Sequence, residues 1–252
     1  MNPVVGLLRV LYTPSQIEAW SQAGPEGPGG AAGTQCVAID QLRATSTIVT
    51  ALAHGAAAVH AVASVEDARR LKRSNPAALL AGERGGLPLE GFDLGNSPRA
   101  FTPERVGGRE IILTTTNGTG ALGACRGAET ILAASMLNLS AVIAALSASP
   151  LPRVLLCAGT GRDFSLEDAL VAGAIAEEIA PGHPAAALHR SVRSELPAVW
   201  RRTVNGRQLV ALGLGEDIAW SAQRDLFSLV ARGRVVDFIV EEKPLTAVVL
   251  TR

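Results

Sequence analysis

The strongest constraint on the fold is a repeated alternation of short apolar runs, polar loops and Ala/Leu-rich helical stretches. Residues 36–39 lead into a Thr/Ser loop, a helix, Gly55-Ala56 and a second apolar run at 59–63. A similar unit starts at 110–113, and an apolar run at 153–157 precedes a further glycine-rich loop and a helix to about residue 180. Such alternation is typical of βα units. We predict an α/β fold in which repeated strand–loop–helix units stack on a largely parallel sheet.

Length and charge limit the domain count and the kind of partner. The 252 residues fit one domain or two tightly joined lobes, and we expect one domain over 1–252 with a Gly/Pro-rich surface loop at 24–33. The formal net charge is zero, so we expect a small-molecule partner rather than nucleic acid or a membrane. The uncharged stretch 131–150 contains Asn138 and several serines, which favours a short strand at 131–134 and a buried helix from 139.

The cellular compartment follows from the cysteines and the first residues. Residues 1–7 have no basic start or apolar centre of a secretory signal, and three cysteines lie without close pairing. We therefore expect a cytoplasmic protein. The sequence leaves open whether it forms a homo-oligomer.

The first polar loop combines an acid, an arginine and three hydroxyls at a predicted strand-to-helix junction. Asp40 ends the apolar run, Arg43 follows, and Thr45, Ser46 and Thr47 open the helix. A helix N-terminus suits phosphate, and arginine can clamp it with two hydrogen bonds. The alternative is that a hydroxyl caps the helix and that Asp40 pairs with Arg43 for structure alone.

A second polar region, residues 82–99, is long and rich in glycine. It begins with Glu83 and Arg84 and contains Asp93, an acid that can equally cap a turn. A glycine-rich connection of this length is usually a functional lid or a disordered segment. Its charged residues favour a folded lid.

The third polar loop resembles a phosphate cradle, because glycines let backbone N–H groups approach an anion while hydroxyls donate. It lacks the lysine of a nucleotide-binding P-loop, so a nucleoside triphosphate is not indicated. The candidate residues of this loop are Thr115, Thr116, Asn117, Gly118 and Thr119.

The fourth polar loop opens the helix that follows residues 153–157. Ser165 and Asp168 have the spacing of a helix cap. Glu167 and Asp168 can alternatively supply hard oxygen ligands to Mg²⁺, and Arg162 can bind an anion or pair with Asp163. Because ligands bind at the carboxyl ends of strands in open α/β sheets, we expect the polar loops to converge on one site.

Taken in order, these motifs resemble the 2-phosphosulfolactate phosphatase family. The resemblance is carried by Asp40-x-x-Arg43-Ala44-Thr45-Ser46-Thr47, Gly82-Glu83-Arg84-Gly85-Gly86, Gly95-Asn96-Ser97-Pro98, Thr115-Thr116-Asn117-Gly118-Thr119 and Phe164-Ser165-Leu166-Glu167-Asp168, and more weakly by residues 215–218 and 223–225. It implies a three-layer α/β/α fold with a largely parallel or mixed sheet. It also implies Mg²⁺-dependent hydrolysis of phosphosulfolactate to sulfolactate and phosphate, a step toward coenzyme M, or of a similar phosphorylated hydroxy acid.

Under this interpretation Asp40, Arg43, Glu83 and Asp168 are the candidate catalytic residues. Asp40, with Glu83 or the Glu167/Asp168 pair, holds Mg²⁺, and one uncommitted carboxylate orients the attacking water. The candidate phosphate- and substrate-binding residues are Thr45, Ser46, Thr47, Arg84, Thr115, Thr116, Asn117, Gly118, Thr119 and Arg162.

Three other phosphatase designs fail on spacing. An aspartyl-phosphate enzyme needs a second Asp where Leu42 stands, a cysteine phosphatase needs five residues between Cys157 and Arg162 where there are four, and no histidine lies in an Arg-His-Gly element. Two alternatives remain. One is an isochorismatase-like cysteine hydrolase using Cys157, and the other is a non-catalytic anion-binding module, which would not need the ordered carboxylates.

Overall fold

A computed structural model describes residues 7–23 and 30–252, which fold around one mixed β-sheet. The described residues contain ten strands in the order β1-β8-β2-β7-β9-β10-β3-β6-β4-β5. The strands are β1 (Leu8–Leu11), β2 (Gln35–Ile39), β3 (Ala58–Ala61), β4 (Leu79–Arg84), β5 (Leu87–Pro88), β6 (Glu110–Thr114), β7 (Thr130–Ala134), β8 (Arg153–Cys157), β9 (Ala231–Val240) and β10 (Lys243–Thr251).

The sheet consists of two parallel halves joined by an antiparallel hairpin. β1, β8, β2 and β7 run parallel, and so do β3, β6 and β4. The hairpin β9–β10 pairs antiparallel with β7 on one side and with β3 on the other. The sheet is therefore mixed, because the bridging hairpin is antiparallel to the strands on both sides of it.

Helices follow most of the parallel strands. In the described residues they are α1 (Pro14–Gln22), α2 (Ala44–Ala53), α3 (Val65–Ser74), α4 (Pro103–Val106), α5 (Gly118–Ala124), α6 (Leu139–Ser147), α7 (Leu166–Ile179), α8 (Pro184–Val192), α9 (Leu196–Arg202), α10 (Val204–Ala211) and α11 (Glu216–Ser221), with 3-10 turns at Pro98–Ala100 and Met136–Asn138.

The largest core joins both halves of the sheet. Residues of β2 and β8 share one apolar cluster with residues of β3 and β6, and the buried sides of α2 and α5 belong to the same cluster. Every residue of β2 is buried, as expected for a parallel strand covered on both faces. Because α2 and α5 belong to the core of both halves, the loops that begin them lie where the halves meet.

The predicted fold class is confirmed: a mostly parallel α/β sheet is flanked by helices. The stretch 131–150 forms β7 and α6, as expected from the sequence. Most of the Gly/Pro-rich loop, residues 24–29, lies outside the described residues. Within the described ranges, no helix has the length and apolar character needed to cross a bilayer.

Candidate active site

The polar loops converge, as predicted, on a cleft of about 130 Å³. Its walls come from the ends of β2, β4, β6 and β8 and from one face of α10. The lining residues are Asp40, Leu42, Arg43, Glu83, Gly85, Gly86, Asn96, Thr116, Asn117, Gly159, Thr160, Gly161, Asn205, Gln208 and Leu209.

Asp40 lies at the end of β2 and faces the start of α5. Its Oδ1 accepts a hydrogen bond from the Ala44 N–H at 3.1 Å. A Cβ at position 118 would lie 2.5 Å from Asp40 Oδ2, so only Gly118 allows this approach. Burial, together with the charges of Glu83 and Glu167, raises the pKa of Asp40 to about 7, although the Ala44 N–H and Arg43 act in the opposite direction. Asp40 is therefore a buried acid among other acids.

Asp168 joins the first and fourth loops. Ser165 caps α7 by accepting from the Asp168 N–H at 3.3 Å. The Asp168 carboxylate accepts from the Gln41 N–H at 2.8 Å and from the Gly159 N–H at 3.0 Å. Burial raises its pKa well above the usual range, and Asp40 and Glu167 add to the shift. Since both of its oxygens bind backbone N–H groups, Asp168 fixes the two loops around the cleft.

Glu167 lies beside Asp168 in the first turn of α7 and is also buried. Its Oε1 accepts a hydrogen bond from Asn205 Nδ2 at 2.7 Å, and the same amide donates to Thr160 Oγ1 at 2.8 Å. Burial raises the pKa of Glu167 despite these bonds. Asn205 thereby orients this carboxylate from α10.

Glu83 attaches the lid to the third loop. Its Oε1 accepts from the N–H and the hydroxyl of Thr116 at 2.8 and 3.0 Å, and its Oε2 accepts from the Gly86 N–H at 2.8 Å. Both oxygens are thus used within the protein. Asp93, further along the lid, accepts from the Leu80 N–H at 2.8 Å and lies outside the cleft lining. Its role is therefore structural.

Arg43 is the one basic side chain among the described residues that line the cleft. Its guanidinium donates to Asp217 Oδ2 at 2.7 Å and to the Gly86 carbonyl at 2.8 Å. The structural alternative of an Arg43–Asp40 pair is therefore corrected, because the partner is Asp217, which lies 174 residues away in sequence.

The hydroxyls of Thr45, Ser46 and Thr47 do not reach the cleft, which corrects their expected role in phosphate binding. They donate to the carbonyls of Asp40, Gln41 and Asn96 at 2.8, 2.9 and 3.0 Å. All three are fully buried in the first turn of α2, where they bond to the loop backbone. Their role is to hold the loop that carries Asp40 and Arg43.

Only part of the third loop faces the cleft. Thr115 and Thr119 bond to each other, each hydroxyl accepting from the other's N–H at 3.2 to 3.3 Å. Asn117 Nδ2 donates to the carbonyls of Ala158 and Gly161, both at 2.8 Å. Thr116 and Asn117 line the cleft, whereas Thr115 and Thr119 shape the loop.

The structure places Arg84 and Arg162 outside the cleft lining. Arg84 donates to the Glu83 carbonyl at 2.6 Å and to Thr114 Oγ1 at 3.1 Å. Arg162 pairs with Glu18 at 3.3 Å rather than with Asp163, and its side chain is 75% exposed. It borders a second pocket of about 410 Å³ that shares Thr116, Asn117 and Gly161 with the cleft.

Asn96 and α10 contribute groups that the sequence interpretation gave no role. Asn96 is buried and lines the cleft, and its Oδ1 has no hydrogen-bond partner in the described part of the chain. Gln208 donates to the Gly85 carbonyl at 2.8 Å and holds the lid turn. Asn96 belongs to the Gly95–Pro98 motif, which could have indicated a functional role for it. Asn205 and Gln208 belong to no motif that could have indicated theirs.

Cys157 is a poor candidate for a nucleophile. It ends β8, is fully buried and is not among the cleft residues. Burial raises the pKa of its thiol well above the usual range, and Asp168 adds to the shift. Since the thiolate is the reactive form, this environment disfavours the cysteine-hydrolase alternative.

Asp40 of the cleft and the neighbouring Glu167, which lies outside the cleft lining and borders an adjoining pocket that shares Thr160 with it, fit a divalent cation with few protein ligands. Within the described residues, no group of three or more His, Cys, Asp or Glu side chains is arranged to hold a metal ion. Asp40 and Glu167 are nevertheless buried, repel one another and have raised pKa values, which a nearby cation would reverse. Mg²⁺ commonly uses one or two carboxylates together with water and substrate phosphate.

An α/β sheet with a small cleft at its loop edge, one buried arginine and a cluster of buried acids defines an enzyme site for a small anionic substrate. The model of the 2-phosphosulpholactate phosphatase family matches residues 26–234. The chain therefore belongs to this family of phosphoric monoester hydrolases, which confirms the resemblance found in its motifs.

Related proteins cover almost the whole chain. A probable 2-phosphosulfolactate phosphatase of Thermotoga petrophila is 42% identical over 214 residues, which is 82% of this chain and 92% of the relative. Proteins of the same description from a Synechococcus species and from Gloeobacter violaceus are 39% and 37% identical over 88% and 92% of this chain, covering 93% and 97% of the relatives.

Proposed function

We propose that this protein is a Mg²⁺-dependent phosphatase that hydrolyses 2-phosphosulfolactate to 3-sulfolactate and phosphate, or acts on a closely similar phosphorylated hydroxy acid. The observation that carries the proposal is that Arg43 and Asp40, a buried acid of raised pKa, line one cleft in a chain of this family. We further propose that the reaction is a step toward coenzyme M and that it takes place in the cytoplasm.

Arg43 binds the phosphate group in this proposal. Arginine has five N–H donors, and two hydrogen bonds, to Asp217 and Gly86, leave donors for a phosphate oxygen. Asn96 Oδ1, which lines the same cleft without a partner among the described residues, can accept a hydrogen bond from a water beside the phosphate. Thr116 and Asn117 of the third loop line the same cleft.

Asp40 would hold Mg²⁺, and Glu167 is the acid next to it. When bound, the ion supplies charge neutralisation at a phosphate oxygen. Glu83 and Asp168 use both oxygens for backbone N–H groups, so they shape the site rather than bind ligand. Glu167, oriented by Asn205 and with a raised pKa, orients the attacking water and accepts its proton.

Arg162 recognises a second anionic group of the substrate in this proposal. The cleft itself has one arginine among its described lining, whereas phosphosulfolactate also carries a carboxylate and a sulfonate. An exposed pair such as Arg162–Glu18 contributes little stability, so Arg162 can exchange Glu18 for a ligand. The adjoining pocket gives such a group access through Thr116 and Gly161.

A substrate panel tests the function. Phosphorylated hydroxy acids with and without a sulfonate are assayed for phosphate release, in chelator and after Mg²⁺ is restored. We expect turnover only with Mg²⁺ and the highest kcat/KM for the sulfonated ester. Full activity after exhaustive chelation would contradict the Mg²⁺ proposal, and phosphate binding without turnover of any ester would favour an anion-binding module.

A further inference from the structure

Two side chains outside the cleft hold Arg43 in place. Asp217, in the first turn of α11, accepts from Arg43 at Oδ2 and from the Ser97 hydroxyl at Oδ1, both at 2.7 Å. Neither Asp217 nor Ser97 lines the cleft. Their side chains can therefore act on a bound phosphate only through the groups that they hold, and Arg43 is the cleft residue that Asp217 contacts directly.

The Arg43–Asp217 pair is buried, with side-chain exposures of 3% and 1%. A buried ion pair requires good geometry and further hydrogen bonds, because both charges have lost water. Ser97 provides such a bond to the remaining carboxylate oxygen. The three groups thus fix the direction of the guanidinium, and Arg43 need not reorient when a phosphate arrives.

The same network contacts both ends of segment 86–97, which forms the middle of the lid at residues 82–99. Arg43 Nη2 donates to the Gly86 carbonyl at one end, and Ser97 donates to Asp217 at the other. Thr47 also donates to the carbonyl of Asn96, next to Ser97. The order of the lid and the direction of the guanidinium therefore depend on each other.

We propose that Asp217 and Ser97 are positioning residues that orient Arg43 for the phosphate group and couple its binding to the order of segment 86–97. This inference deepens the proposed function, on which the identity of the ligand rests. The inference gives Ser97, and with it the Gly95–Pro98 motif, a role in orienting Arg43 that the composition of the motif does not indicate.

The test compares Ser97→Ala and Asp217→Asn with the wild type, using inorganic phosphate with Mg²⁺ as the probe in calorimetric titration. Loss of a hydrogen bond to a charged group changes affinity by about tenfold. We expect the phosphate Kd to rise about tenfold in Ser97→Ala and more in Asp217→Asn. The amides of 86–97 should exchange hydrogen faster in both variants.

A matched control exists at α3, outside the cleft lining. Ser64 donates to Asp67 Oδ2 at 2.8 Å, and Arg70 donates to Asp67 Oδ1 at 3.1 Å, which repeats the Ser–Asp–Arg arrangement away from the cleft. Ser64→Ala should leave the phosphate Kd unchanged. It controls for the general effect of removing one such hydroxyl.

Asp217→Asn breaks a buried pair and can prevent folding, so Ser97→Ala, which keeps the pair, is decisive. A folded Ser97→Ala variant with the wild-type phosphate Kd would overturn the inference, and so would a wild type that binds no phosphate. Failure of the wild type to hydrolyse 2-phosphosulfolactate refutes only the proposed substrate, because phosphate binding is measured without turnover.

Discussion

Replacing Asp40 by Asn should stabilise the metal-free protein at neutral and alkaline pH while abolishing most of its activity. The pKa of Asp40 rises from the ordinary value of 3.8 to about 7 in the folded protein. Each pKa unit corresponds to about 1.4 kcal/mol, so ionising Asp40 costs the folded state roughly 4 kcal/mol. Asn keeps the shape of the side chain and an acceptor for the Ala44 N–H, but removes the charge.

The pH dependence has a definite sign. Below pH 3.8 Asp40 is protonated in both the folded and the unfolded chain, so its contribution to stability is fully present. As pH rises toward about 7, Asp40 ionises in the unfolded chain before it does in the folded chain, so its contribution to the free energy of unfolding is lost. The free energy of unfolding of Asp40→Asn should therefore exceed that of the wild type by up to roughly 4 kcal/mol at pH 8 and by little near pH 4.

Urea unfolding of both proteins in chelator, followed by circular dichroism from pH 4 to pH 8, measures this difference. Glu90→Gln, which removes a carboxylate from the exposed part of the lid, controls for net charge and should change stability by no more than about 0.5 kcal/mol. Mg²⁺ should stabilise the wild type at pH 8 more than the variant. Parallel stability curves for wild type and Asp40→Asn over the whole range would refute the argument.

Three further substitutions separate the roles within the site. Glu167→Gln should lower kcat at least about a hundredfold, with little change in the Mg²⁺ concentration needed for half-maximal rate, if Glu167 accepts the proton of the water. A strong rise in that concentration would instead make Glu167 a metal ligand. Arg162→Ala should raise KM about tenfold for esters with a second anion and hardly at all for those without one, and equal losses on both would argue against the specificity role. Cys157→Ser should retain most activity in steady-state assays, since the thiol lies outside the cleft. A folded but inactive variant would restore the cysteine-hydrolase alternative.

The convergence of the polar loops was predictable because it depends on local pattern and on one rule of sheet architecture. Asp40, Glu83, Thr116 and Gly159 each follow or end a parallel strand, and the carboxyl ends of such strands collect ligand-binding loops. The fold class followed from the same alternation. The sequence also predicted the cap of α7 by Ser165, because capping depends on residues only three apart.

The partners of the charged groups were not predictable, because they depend on long-range packing. Arg43 pairs with Asp217 across 174 residues, and Asn205 reaches Glu167 from a helix that carries no motif. The hydroxyls of α2 show that a suitable position in the sequence does not ensure a contact with the ligand. They lie at a helix start that suits phosphate, but they donate their hydrogen bonds to carbonyls of their own loop and of Asn96.

Two kinds of acid lie around the cleft, and their hydrogen bonds separate them. Glu83 and Asp168 accept backbone N–H groups at both oxygens, so each joins two loops. Asp40 accepts from the Ala44 N–H and Glu167 from the Asn205 side chain, and burial raises the pKa of both, as it does that of Asp168. Asp168 joins the loops that carry Asp40 and Glu167, so it holds these two carboxylates near each other although they repel. The structure thus uses two acids to build the frame in which the other two can act on a phosphate ester.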